Sequence, residues 1–206
     1  REIIAALEVA IPQEDLNRLG RPPTKNVMAY DLFLQARTGF IPPTAENILW
    51  ARRTYERVIE IDPAFAGGHA GLSMTYTRTI LLHHYEKTEE DVAKAREYAD
   101  EALRLDDELA ASHMAQGLIS LVTGDHDAAI TFARNAVELQ PGDADAYANL
   151  GRVSYISGHP DDAYEPFKMA IRLDPRSPYL VPLGFAYCMA GRFADEIEAF
   201  RIARFP

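Results

Sequence analysis

The sequence predicts an all-α array of about five stacked helical hairpins, and three observations carry that reading. A 34-residue period relates identical residues, small residues recur at helical spacing within it, and each period closes on an apolar-x-Pro stop. Pro141 and Pro175, Gly124 and Gly158, Ala129 and Ala163, Ala136 and Ala170, and Leu139 and Leu173 are all 34 residues apart. The stretches GDHDAAITFARNAVELQP and GHPDDAYEPFKMAIRLDP therefore align directly, each with a turn glycine, a helix start and helically spaced alanines. An Ala or Gly where two helices cross lets the backbones approach, while large residues three or four positions away fill the groove beside it.

Taken in order, Arg1 to Gly20 reads as an amphipathic helix with Ile3, Ile4, Leu7 and Ile11 on one face. A second short turn carries Leu16 and Leu19, and the pattern breaks at Arg21-Pro22-Pro23-Thr24. Residues 1–25 are expected to form an N-terminal helical linker and residues 26–206 the array, in units of about 26–63, 64–107, 108–141, 142–175 and 176–206. The first unit has a stretched middle at Gly39 to Thr44 and ends on ARRTYERVIEIDP. The second has extra residues around Leu81 to Thr88 and ends on AREYADEALRLDD, with Asp107 in the place of Pro. In the fourth, Pro166 should remove one hydrogen bond from the second helix and bend it. In the fifth, LGFAYCMAGRF repeats a first-helix ending, and Glu196 replaces an expected Ala, as suits a terminal hairpin. Gly117, Gly151 and Gly184 mark first helices; Ala51, Ala95, Ala129 and Ala163 mark second helices.

Composition narrows the function classes. With 48% hydrophobic residues the chain can build a continuous core, and its net charge of −10 leaves no basic footprint for nucleic acid. The single Cys188 forms no intrachain disulfide, which fits a cytoplasmic setting. Leu109 to Gly124 and Ser177 to Gly191 fall short of the roughly 20 apolar residues that span a bilayer, so no membrane insertion is expected. The start at Arg1 and the end at Phe205-Pro206 suggest a piece of a longer protein.

The spacing resembles the tetratricopeptide repeat family over roughly residues 26 to 204, on Tyr147, Leu150, Gly151, Ala163, Phe167, Ala170 and Pro175, with Ser154 in place of the usual Tyr. The third unit keeps Gly117, Ala129, Ala133, Ala136 and Pro141 but has His113 and Gln116 at core-type positions. The resemblance implies a right-handed superhelix whose first helices line a concave groove. Residues 3–37, notably Arg21 to Thr24 and Ala29 to Leu34, resemble the linker and first repeat of bacterial class III adenylate/guanylate cyclases with C-terminal repeats; related linkers precede repeats in winged-helix regulators. This implies a regulatory module in cyclic nucleotide signalling, with a homo-oligomerisation scaffold or part of a winged-helix regulator as alternatives.

Enzyme chemistry is not expected within this chain: no phosphate loop, dinucleotide fingerprint, zinc spacing or hydrolase elbow is present, and no catalytic residue, cofactor or metal site is assigned. His83 and His84 with Glu86, Glu89 and Glu90 are read as an exposed insertion, since adjacent helical side chains diverge by about 100°. His69 and His113 share a repeat position and are read as packing against the next helix. The family's groove positions map onto Met74, Thr77 and Arg78; Met114, Leu118, Leu121 and Val122; Arg152, Tyr155 and Ile156; and Val181, Phe185, Cys188 and Met189. They predict an apolar, Met-bearing groove with two Arg residues that docks a protein or peptide segment, the chain's own catalytic domain included, or is covered by a dimer mate.

Overall fold

The computed structural model describes residues 24–39, 44–82, 88–176 and 179–195. Over these the chain is all-α, a right-handed superhelical array of helices packed as consecutive antiparallel hairpins. The helices are α1 Val27–Gly39, α2 Ala45–Ile61, α3 Ala66–Leu81, α4 Glu89–Leu105, α5 Ala110–Thr123, α6 His126–Leu139, α7 Ala144–Ile156, α8 Tyr164–Leu173 and α9 Leu180–Met189, with a 3₁₀ turn Pro160–Ala163 before α8. The expected helix in Arg1 to Gly20, the insertion histidines 83 and 84, and Glu196 lie outside the described residues.

Small residues set the spacing. Ala51, Ala95, Ala129 and Ala163 are fully buried, as are Val58, Ala102, Ala136 and Ala170 seven residues later, so each second helix presents one closely packed stripe. Gly117 lies against the Ala129 carbonyl and the Ala133 nitrogen, a close approach a larger residue would crowd. Gly71 and Gly151 instead leave room for aromatic rings, Tyr55 and Phe167 respectively.

The ends of three second helices, α2, α4 and α8, share one device. Asp62, Asp106 and Asp174 each donate their N–H to a carbonyl four residues back (Val58, Ala102, Ala170), and each side chain accepts from the nitrogen two residues on, at 3.2, 3.1 and 3.1 Å. This Asx turn satisfies groups that the helix end exposes, and it operates at Asp106 although no Pro follows. Helix starts are capped by Thr44, Thr88, Asp125 and Asp143, so the acidic run at Glu89 to Asp91 sits in the first turn behind Thr88.

Pro166 behaves differently from expectation. The second helix of the fourth unit begins as a 3₁₀ turn and becomes α-helical only at Tyr164, which places Pro166 in the first α-helical turn. An N–H there has no intrahelical acceptor, so the missing donor costs little.

His69 and His113 do pack against the next helix, with ring centroids 6.2 Å from Tyr98 and 6.0 Å from Phe132. Each also donates from Nε2 to the carbonyl of the preceding turn, Pro63 at 2.9 Å and Asp107 at 2.7 Å. Gln116 donates to Asp100 at 2.7 Å, which satisfies a polar residue at an interior position.

Candidate functional site

The first helices α1, α3, α5 and α7 turn toward one hollow of about 200 Å³. Tyr30, Phe33 and Leu34 of α1, Met74 of α3 and Met114 of α5 line it, together with Tyr55 and Phe65. Phe33 is the hub of the aromatic wall, 5.1 Å from Phe65 edge-on and 6.0 Å from Tyr55. Gly67 and Gly71 of α3 also line the hollow, at positions where a Cβ would run into Phe65 and Tyr55. The absence of side chains there lets these two rings lie directly against α3.

An ionic clasp crosses this hollow. Arg37, in the last turn of α1, donates from Nη2 to Asp143 at 2.9 Å and from Nε to Asp145 at 2.9 Å, linking residues more than 100 positions apart. The backbones of α1 and α7 do not approach each other, so these side chains are what joins the first described hairpin to the fourth. Asp143 is fixed as the N-cap of α7, where its carboxylate also accepts from the Asp145 nitrogen at 2.9 Å. Asp145 accepts from the Tyr179 hydroxyl at 2.7 Å, which ties in the chain just before α9.

Electrostatics define the clasp further. Burial alone would lower the Arg37 guanidinium, but Asp145 and Asp143 hold it above its ordinary value. Burial pushes Asp145 up, and the Arg37 charge with the Tyr179 hydrogen bond outweighs it, so this carboxyl lies below the usual range. Asp143 lies above it, because burial and the neighbouring Asp145 outweigh Arg37. Arg78, deeper in the wall, is pulled down by burial and by the like charge of Arg152, with Asp145 opposing.

Of the groove residues expected from the sequence, Met74, Arg78 and Met114 line the hollow together. Arg152 is half-buried and close enough to Arg78 to repel it; Tyr155 is half-buried with its ring 6.2 Å from Phe167. Val181 is half-buried, and Phe185 and Met189 are exposed, all on α9 rather than around the hollow. Leu118 and Leu121 are corrections: at 1% and 5% exposure they are core residues, and Thr77 is buried too. The reason is that α5 is flanked by α3 on one side and α7 on the other, which closes positions that an isolated hairpin would leave open. Residue spacing did not reveal Tyr30, Phe33, Arg37, Asp143 or Asp145. The available signal was the Gly67-Gly68-x-x-Gly71 run, too glycine-rich for an ordinary helix interior, and the Asp143-x-Asp145 helix start.

Hairpins stacked in register around an inner hollow define a helical-repeat scaffold. The profile of the tetratricopeptide repeat family matches residues 85–144 and 131–178, so the repeats of that stretch are tetratricopeptide repeats. Among solved structures the chain is similar to the crystal structure of MamA, with 25% identity and a TM-score of 0.50 over 80% of this chain and 91% of that one. It is also similar in fold to YrrB, described as a tetratricopeptide repeat protein with an unusual peptide-binding site, at 19% identity and a TM-score of 0.50 over 85% of this chain and 84% of that one. A putative adenylate cyclase 3 of Rhizobium meliloti (strain 1021) is 30% identical over 106 residues, 52% of this chain and 18% of that protein. The match thus spans less than a fifth of the relative's length.

Proposed function

We propose that this chain is a non-catalytic protein-interaction module whose inner hollow takes a polypeptide segment, and that it serves as the C-terminal regulatory part of a cytoplasmic adenylate/guanylate cyclase. The observation that carries the binding role is the hollow itself, lined by aromatic and Met side chains of the first three hairpins and by two aspartates of the fourth. Met and aromatic surfaces adapt to apolar anchors, and the ordered scaffold around them limits the entropy lost on binding. The partial similarity to a putative adenylate cyclase supports the cyclase parent. Met74, Arg78 and Met114 are the proposed contacts from the sequence mapping, with Arg152 behind them.

Leu34 lines the hollow and is 37% exposed, so Leu34→Asp alters the wall without emptying the core. Partners retained from a lysate by the wild-type chain are expected to be lost with Leu34→Asp. Retention of every partner would remove the hollow from consideration. The coding sequence upstream of Arg1 tests the parent: a cyclase domain there is the expected result, and a winged helix would assign the module to a transcriptional regulator.

A second reading rests on α9, where Met189 is 64% exposed and the following Phe193 is 60% exposed. Self-association through this apolar face would make the array a dimerisation scaffold. Sedimentation that gives a monomer mass at every concentration would exclude it.

A further inference from the structure

The clasp occupies the hollow's mouth with a cation supplied by the chain itself. Asp143 and Asp145 are held in place by the α7 N-terminus and by Tyr179, and their side chains are 11% and 31% exposed. Arg37 is the looser partner, 43% exposed at the end of α1. If Arg37 leaves, two adjacent, largely buried carboxylates stay behind without their principal counter-charge, and such a site is costly until another cation enters it. The apolar wall begins immediately beside them at Leu34, Phe33 and Met114.

We propose that the hollow recognises a basic-apolar peptide segment, in which an arginine replaces Arg37 on Asp143 and Asp145 while an adjacent large apolar side chain enters beside Phe33 and Met114. Arg37 is then an internal competitor that keeps the mouth closed until such a segment arrives. Charge complementarity selects this occupant: an acidic segment would have to draw Arg37 away from both fixed carboxylates, leaving Asp143 unmatched and Asp145 with only Arg78. The chain's net charge of −10 further favours approach of a basic partner. Arg37 places Nη2 between the carboxylates, 2.9 Å from Asp143 and 2.7 Å from Asp145, with Nε also 2.9 Å from Asp145; an incoming arginine reproduces this fork, whereas a lysine supplies only the single central contact. This inference rests on the proposed binding role of the hollow and specifies the chemistry of its ligand.

The test is selection of short random peptides on the full chain, followed by titration of the recovered sequences against variants. Sequences with Arg next to Phe, Leu, Met or Trp are expected, binding about tenfold more weakly to Asp145→Asn and about tenfold more tightly to Arg37→Ala, since removal of an internal competitor raises the open population. Asp145→Asn retains an acceptor for Tyr179, and helical circular dichroism checks its fold; the gain in Arg37→Ala cannot arise from unfolding. Arg37→Lys is expected between wild type and Arg37→Ala. Recovered sequences that are sensitive to Leu34→Asp but lack a basic residue, or that bind Asp145→Asn unchanged, or that bind Arg37→Ala more weakly, overturn the inference and leave the binding role standing. Recovery of no sequence sensitive to Leu34→Asp overturns both.

Discussion

At Gly151 a methyl group would lie 2.9 Å from ring atoms of Phe167, and at Gly142 it would meet nothing within 4 Å. An alanine ordinarily stabilises a helix interior relative to glycine, by about 1 kcal/mol. Phe167 is fully buried, however, and close-packed interiors leave a ring little room to retreat. Overpacking therefore decides the sign: Gly151→Ala is expected to destabilise by about 1–3 kcal/mol in urea unfolding. Gly142→Ala, in a turn without positive φ, is expected to be neutral or to stabilise by about 0.4–1 kcal/mol through the unfolded state. Equal effects of the two substitutions would show that the close packing at Gly151 is not what fixes that residue. Gly124, Gly158 and Gly191 answer to a different constraint, the backbone, with φ of 88°, 90° and 72° at the turn after a first helix.

At the scale of one element, the end of α4 shows how a unit closes without proline. Asp106 has φ −154° and ψ 100°, the extended region required of a residue before proline, and Asp62, which does precede Pro63, sits at −140° and 87°. The carbonyl of residue 107 accepts from His113 as the Pro63 carbonyl accepts from His69, so a proline at 107 would keep that bond. Asp107→Pro is thus expected to stabilise by about 0.4–1 kcal/mol, read as a rise in the urea midpoint with unchanged slope. A lowered midpoint would mean that the Asp107 N–H matters to the turn. Removing the Asx turn instead, by Asp106→Ala, is expected to cost about 0.5–1.5 kcal/mol. The periodicity made these ends legible, because Pro and the apolar residue before it are visible in sequence. It pointed to proline as the stop, whereas the aspartate just before it does the same job in three units. Pro166 was misjudged for a related reason: the change from 3₁₀ to α geometry at Tyr164 has no signature in residue spacing. Leu118 and Leu121 were misplaced because period fixes which helix is inner but not how far its neighbours wrap around it.

Across the whole molecule, the clasp does something a stack of repeats does not ordinarily do. In such arrays stability is close to a sum of unit and nearest-neighbour contributions, so distant units unfold with limited coupling. Arg37 reaches from α1 to α7 past α3 and α5, and nothing local in the sequence announces a pair more than 100 residues apart; Arg37 reads only as a basic residue suited to a helix C-terminus. Because Arg37 is 43% exposed, its loss is expected to cost a discounted 1–2 kcal/mol, roughly, rather than the full penalty of a buried pair. Asp145 gives this a pH dependence. Its folded carboxyl lies below the ordinary range, so its contribution is complete above the unfolded value of about 3.9 and fades as pH falls through the folded one. Asp143 is shifted upward and acts in the opposite sense, its burial cost being relieved by protonation as pH falls. In Arg37→Gln both carboxylates lose their principal cation and burial raises them further, so the variant's deficit should be largest near neutrality and shrink as pH falls, beginning above the ordinary carboxylate range as they protonate. The unfolding slope should fall as well, since hairpins one and four no longer share a contact, and amides of α1 and α2 should exchange ahead of those of α7 and α8. Urea unfolding followed at neutral and acid pH, with hydrogen exchange on the same samples, reads both effects. A deficit that persists unchanged into acid would assign the cost to packing of the Arg37 stem, and an unchanged slope with concerted exchange would show that the array is coupled through its helices without the clasp.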